Sequence, residues 1–183
     1  MATATDLLTA ERFGTRPDPG YPEELVQGRI VAMRPATPRH GQICGEANYL
    51  FRGHADRHDL GHVLCNDSGV ITERDPDTVR GADVSFYSYA RVPRGKIREG
   101  YLDVVPDLVV EVRSADDRWG DILAKVHEYL DAGVGVVIVL DPEPERAYVF
   151  RSDQPPRELG PDDELKVPDL LGDFRVAVRR FLA

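Results

Sequence analysis

The chain has 183 residues, of which 42% are hydrophobic and 30% charged, the length and make-up of one soluble globular domain spanning residues 1–183. Its longest apolar run, Val134 to Leu140, is far shorter than the roughly 18 residues of a membrane span, and its start lacks the pattern of a signal peptide. Two cysteines, Cys44 and Cys65, build no disulfide framework, so the expectation is a reduced, cytoplasmic protein without membrane attachment.

In chain order, a short helical start is expected over Asp6 to Phe13, followed by the loop Arg16-Pro-Asp-Pro-Gly20. Glu24 to Met33 reads as a hairpin turning at Gln27-Gly28, with Pro35 and Pro38 ending it. Ile43, Ala47, Leu50 and Phe51 recur at spacings of three and four, which predicts an amphipathic helix over Gly41 to Arg57. Strands follow over His62–Cys65 running on to Val70–Thr72, then Ala82–Tyr87, then Asp107–Arg113, with a turn at Asp75-Pro-Asp77 and a polar loop or short helix over Arg91–Gly100. A second helix is expected over Arg118–Ala132, capped by Asp116 or Asp117 and closed at a left-handed Gly133. Strands Val134–Asp141 and Arg146–Arg151, a loop at Asp162–Glu164, a turn over Val167–Gly172 and a terminal helix over Val176–Leu182 complete the pass. The alternation of helix and strand signals predicts one α+β or mixed α/β domain.

A net charge of −9 argues against tight non-specific nucleic-acid binding, which depends on neutralising phosphates. The charge is uneven, however. Residues 141–173 hold ten acids against four bases, whereas residues 29–57 hold five bases against two acids. A basic face therefore remains compatible with an acidic whole.

Asp107-Leu-Val-Val-Glu-Val-Arg113 is the most informative strand, because both of its faces are partly apolar and a central position follows. A carboxylate there costs a few kcal/mol in desolvation unless paired or bound to metal. Glu111 either satisfies Arg113 or a loop, or it binds a metal with Arg113 two residues on along the same face. A divalent ion wants a further oxygen ligand. Asp107 lies ~13 Å along the strand from Glu111, so Asp83 on a neighbouring strand, ~5 Å across the ladder, is the better partner, although an acid at a strand start is commonly a turn or cap residue. Lys125 sits at the edge of the apolar arc formed by Ile122, Leu123, Val126, Tyr129 and Leu130; a snorkelling lysine fits equally well, but the chain has 20 Arg and three Lys.

Taken together, Glu24-Leu-Val-Gln-Gly, Arg39-His-Gly41, Ala82-Asp-Val84, Pro106-Asp-Leu-Val-Val-Glu-Val112, Ser114, Lys125, Tyr129, Ala132-Gly-Val134, Val139-Leu-Asp-Pro142 and Gly172-x-Phe174 follow one ordered pattern over nearly the whole chain. That pattern resembles the Uma family of restriction endonucleases, a branch of the PD-(D/E)XK nuclease superfamily. The resemblance implies a restriction-endonuclease-like mixed central sheet flanked by helices, with an N-terminal hairpin extension. It implies Asp83 and Glu111 as ligands of Mg²⁺ (or Mn²⁺), and Lys125 as a catalytic lysine displaced from the usual slot two residues after the Glu. Arg113 occupies that slot and would assist; a guanidinium holds phosphate but does not act as a base. Glu24 and His40 match family motifs and either line the pocket or lie on the surface. The implied activity is metal-dependent phosphodiester hydrolysis, with nucleic acid, DNA first, as substrate and a homodimer as the assembly.

Two other classes compete. A zinc protein would use His54, His58 and His62 with Cys65, although Asp59-Leu-Gly61 breaks the helical spacing. A catalytically inactive nuclease fold acting as a binding or assembly module is favoured by the acidic charge and by Arg113. No Gly-x-Ser-x-Gly elbow or phosphate-cradling Gly-rich loop occurs.

Overall fold

A computed structural model describes residues 7–183. Asp6, the expected start of the first helix, lies outside them. Helix α1 spans Ala10–Gly14, with the Thr9 side chain accepting from the Arg12 N–H. Strands β1 (Glu23–Val26) and β2 (Arg29–Ala32) form the expected hairpin. Gln27 and Gly28 both take positive φ, at 48° and 72°. Two left-handed residues make the tight turn whose twist suits a two-residue hairpin.

Helix α2 runs Pro38–His58, three residues earlier than the periodicity predicts. Pro38 opens this helix instead of closing the hairpin. A proline fits the first helical turn, where its missing N–H has no partner to lose, and Thr37 caps the turn by accepting from the His40 N–H. Asp59 ends the helix in the left-handed conformation. Strand β3 is continuous over Gly61–Glu73 and pairs with β4, which begins at Thr78 rather than Ala82 and ends at Ser88. Their register shifts between Cys65 and Ser68, where Asn66 and Asp67 both have positive φ.

Strand β5 (Leu108–Val112) is buried at all five positions, as its double-sided apolar pattern predicts. Helix α3 (Trp119–Asp131) carries it over to β6 (Val136–Asp141), which lies parallel to β5. Neither Asp116 nor Asp117 caps α3. Arg118 occupies the cap position without a side-chain bond, and Asp117 instead accepts from the Ser114 N–H, tightening the loop before it. Gly133 takes φ 98° as expected. Strand β7 (Arg146–Arg151) is followed by β8 (Gln154–Leu159), whose Pro155 and Pro156 hid it from a pattern reading. Proline is tolerated there because β8 is an edge strand. The end of the chain is β9 (Glu164–Lys166), α4 (Pro168–Leu171), β10 (Arg175–Ala177) and α5 (Val178–Phe181). Asp162–Glu164 therefore leads into a strand, and Val176–Leu182 divides between a strand and one helical turn.

The main sheet has the order β2-β1-β4-β5-β6-β7-β8, with β3 also paired to β4. Among the described residues only β5 and β6 run parallel; the other pairings are antiparallel. One face packs Ile43, Ala47 and Phe51 of α2, with Phe174 and Phe181, against Val84, Leu108, Val110 and Ile138. Phe51 stacks on Phe174 with ring centroids 4.9 Å apart. The other face packs Ile122, Val126 and Tyr129 of α3 against Val109, Val137 and Val139. This is the mixed sheet between helices that the sequence predicts. Among the described residues no helix is long and apolar enough to cross a membrane.

Candidate active site

The alternation of β5 sends Val110 and Val112 to the α2 face and Val109 and Glu111 to the α3 face. Glu111 is thereby driven beneath α3, where it is 5% exposed. Tyr129 is in reach because it lies one turn beyond Lys125 on the same face of α3, and its hydroxyl donates to Glu111 Oε1 at 2.8 Å. Strand β4 lies antiparallel to β5 with Val84 opposite Val110, so one further step sets Asp83 beside Glu111, with α-carbons ~5 Å apart. There the ladder gives way: Asp83 Oδ2 accepts from the Val112 N–H at 2.7 Å. His40, on the first turn of α2, brings Nε2 to within 3.4 Å of the same oxygen.

Lys125 Nζ sits 3.0 Å from Glu24 Oε1 and 4.0 Å from Glu111 Oε2. Glu24 reaches inward from β1 and is also held by Arg80, at 2.8 Å, and by the Gly81 N–H, at 3.2 Å. Arg80 in turn grips Glu128 of α3 through two bonds of 2.6 and 2.7 Å. The hairpin, the central strands and α3 are thus joined by one run of buried and half-buried charges.

The sharing of Lys125 decides the ionisation. Burial works to raise the Glu24 pKa, but Lys125 and Arg80 outweigh it and hold this carboxyl below its ordinary range. Glu111 Oε2 lies farther from the ammonium, at 4.0 Å, and accepts no hydrogen bond from it. Its burial, opposed by Lys125 and reinforced by the Asp83 charge, pushes its pKa up to about 8. For Lys125, burial disfavours the charged form, yet Glu111 and Glu24 together raise its pKa above the ordinary lysine value, so it remains an ammonium. The hydrogen bond to Asp83 raises the His40 pKa against burial. Asp67, on the bulge of β3, is also raised, first by burial and then by Asp83.

Glu24, His40, Asp83, Glu111 and Lys125 therefore meet in one place. Arg113 turns elsewhere: its NH1 lies 3.0 Å from the buried Asp141 and 3.3 Å from Glu143, its guanidinium covers Trp119, and it donates to the Asp117 carbonyl. The zinc set does not assemble. His54 Nε2 binds the Leu171 carbonyl at 2.7 Å and His62 Nε2 lies 3.4 Å from the Pro93 carbonyl, while His54 and His58 each approach Asp173 at 3.8 Å.

Sequence reasoning passed over Arg80, Asp67 and the role of Tyr129. Tyr129 had a signal, its spacing of four from Lys125. Arg80 and Asp67 had none, since both depend on the path of the β3–β4 ribbon.

The donor set suits a hard divalent ion, which takes one or two carboxylates plus water. Among the described residues Glu111 Oε2 meets no cation nearer than 4.0 Å, and burial is the first cause of its raised pKa; a dication beside it would favour the ionised carboxylate.

A sequence model of the Uma2 family, described as "Putative restriction endonuclease", matches residues 10–179. No curated protein matches. A crystal structure from Anabaena variabilis, described as "a putative nuclease belonging to DUF820", is similar with a TM-score of 0.83 and 18% identity, covering 96% of this chain and 97% of that one. At that identity the likeness speaks for the fold, which is the restriction-endonuclease-like fold the sequence pattern implies.

Proposed function

We propose that this chain, which belongs to the Uma2 family, is a divalent-metal-dependent nuclease that hydrolyses phosphodiester bonds of DNA. The observation that carries this reading is the placement of Asp83 and Glu111 on the neighbouring strands β4 and β5, with the half-buried ammonium of Lys125 4.0 Å from Glu111. Asp83 and Glu111 are the residues that hold the ion, Mg²⁺ or Mn²⁺, whose chemistry is to lower the pKa of a bound water and polarise a phosphoryl oxygen. Glu24 anchors Lys125 at a fixed height above Glu111, so that the ammonium faces the negative charge that develops on a phosphoryl group. Tyr129 fixes the Glu111 carboxylate in one orientation. Arg113 can assist at a phosphate only by leaving Asp141. The chain acts as one domain, and a homodimer suits the cutting of two strands. Two free cysteines fit a reducing, cytoplasmic setting.

The test is calorimetric titration of Mg²⁺ and Mn²⁺ into the parent and into Glu111→Gln, run beside cleavage of supercoiled plasmid. The reading expects binding and nicking in the parent and the loss of both in the variant. A parent that binds neither ion, with or without DNA, overturns it. That outcome would favour the binding-module reading, for which the engagement of Arg113 with Asp141 is the specific support.

A further inference from the structure

His40 and Cys44 stand one turn apart on α2, so they share a helix face. That face meets Asp83 of β4. His40 Nδ1 lies 3.4 Å from Cys44 Sγ, and His40 Nε2 lies 3.4 Å from Asp83 Oδ2. One donor atom from each of the three residues lies within 4.8 Å of the other two. Zinc bonds of 2.0–2.3 Å at tetrahedral angles keep their donors ~3.3–3.7 Å apart. A contraction of about an ångström would therefore close the trio on an ion.

The proposed nuclease chemistry uses an oxygen of Asp83 but neither the imidazole nor the thiol. Mg²⁺ has no use for sulfur, whereas a thiolate, an imidazole and a carboxylate form a donor set that selects a softer ion. All three residues are half-buried or buried, which limits competition from bulk water. The other histidine cluster, His54, His58 and Asp173, is weaker, because a backbone carbonyl already takes the inner His54 nitrogen.

We infer that His40, Cys44 and Asp83 form a second cation site, specific for thiophilic divalent ions such as Zn²⁺, that shares Asp83 with the magnesium position. On binding, the Cys44 thiol releases its proton to solvent and the thiolate sulfur bonds the ion. One ring nitrogen of neutral His40 and one oxygen of Asp83 complete the protein ligands, and a fourth position is left for water. Zn²⁺ bound there withdraws Asp83 and competes with Mg²⁺. The competition rests on the nuclease reading of Asp83; the zinc site does not.

The probe is Co²⁺ added to the metal-free full-length chain, because a cobalt–thiolate bond produces an intense near-ultraviolet charge-transfer band that oxygen and nitrogen ligands do not give. The expected result is a band saturating at one ion per chain, bleached by Zn²⁺, absent in Cys44→Ser and retained in Cys65→Ser and Glu111→Gln. No band in the parent, or a band that survives Cys44→Ser, overturns the site. Saturating Zn²⁺ should weaken Mg²⁺ binding at least tenfold by calorimetry, and unchanged Mg²⁺ affinity overturns the sharing of Asp83. Should the parent fail to bind Mg²⁺ while the cobalt band is present, the nuclease reading falls and the zinc site stands.

Discussion

Glu111→Gln should stabilise the metal-free protein at alkaline pH, although it removes the central acid of the site. In the fold the Glu111 pKa stands at about 8, against 4.5 for an ordinary glutamate. The folded state therefore holds this proton more tightly than the unfolded chain does. The associated stability is fully present below about pH 4.5 and is lost as pH rises through about 8. At ~1.4 kcal/mol for each pH step, the full penalty of ionising Glu111 in place is ~5 kcal/mol. Movement of Lys125 toward the new charge reduces this to ~2–4 kcal/mol. Glutamine keeps an acceptor for the Tyr129 hydroxyl and never ionises. Urea unfolding of both proteins in chelator at pH 5.5 and pH 9 gives the answer as a difference of differences, in which titrating groups remote from Glu111 cancel. The parent should lose ~2–4 kcal/mol more than the variant between the two conditions. Equal losses would refute the argument that burial of Glu111 outweighs the attraction of Lys125. Adding Mg²⁺ at pH 9 should restore the parent and leave the variant unchanged.

Lys125→Met keeps the stem of the side chain but leaves Glu111 without a cation, so plasmid nicking at saturating Mg²⁺ should fall ~10²-fold or more; a fall below threefold would deny Lys125 a part in charge stabilisation. Phe51→Ala opens a cavity between Phe174 and Phe181 and should cost ~3–5 kcal/mol in urea unfolding, with the Mg²⁺ affinity of the folded fraction unaltered. Gly61→Ala would set a Cβ 2.1 Å from the Tyr87 carbonyl oxygen and 2.8 Å from the Ser88 α-carbon. Neither backbone atom can give way cheaply, so thermal unfolding should fall by the equivalent of ~2 kcal/mol or more; a melting temperature within a degree of the parent's would contradict that crowding.

Local rules made the central elements legible. The unbroken apolar pattern of β5 marks a strand buried on both faces, Gln27-Gly28 marks a two-residue turn, and Gly133 marks a helix end; each depends on residues adjacent in sequence. Glu111 stood out because an acid in an apolar strand is a locally costly choice; Asp83 and Lys125 each had an ordinary local reading, and it was the ordered family pattern that singled them out. What escaped was decided by distant partners. Whether Glu24 is a surface hairpin acid or the anchor of Lys125 depends on β1 pairing with β4 through Leu25 and Val79. Whether Arg113 faces the site or Asp141 depends on which residue of β6 ends level with it. Edge strand β8 escaped because proline is a breaker everywhere except at an edge.

The ion pair between Glu24 and Lys125 spans 101 positions of the chain, and that separation has a kinetic consequence. Loop-closure entropy must be met before such a contact returns any energy, so pairings of this range form late. Glu24, Asp83, Glu111 and Lys125 come one each from the hairpin, two central strands and the helix beyond them, and His40 comes from α2. A chain emerging from the ribosome thus carries its carboxylates apart, and these residues meet only once β1, β4, β5 and the two long helices have packed together.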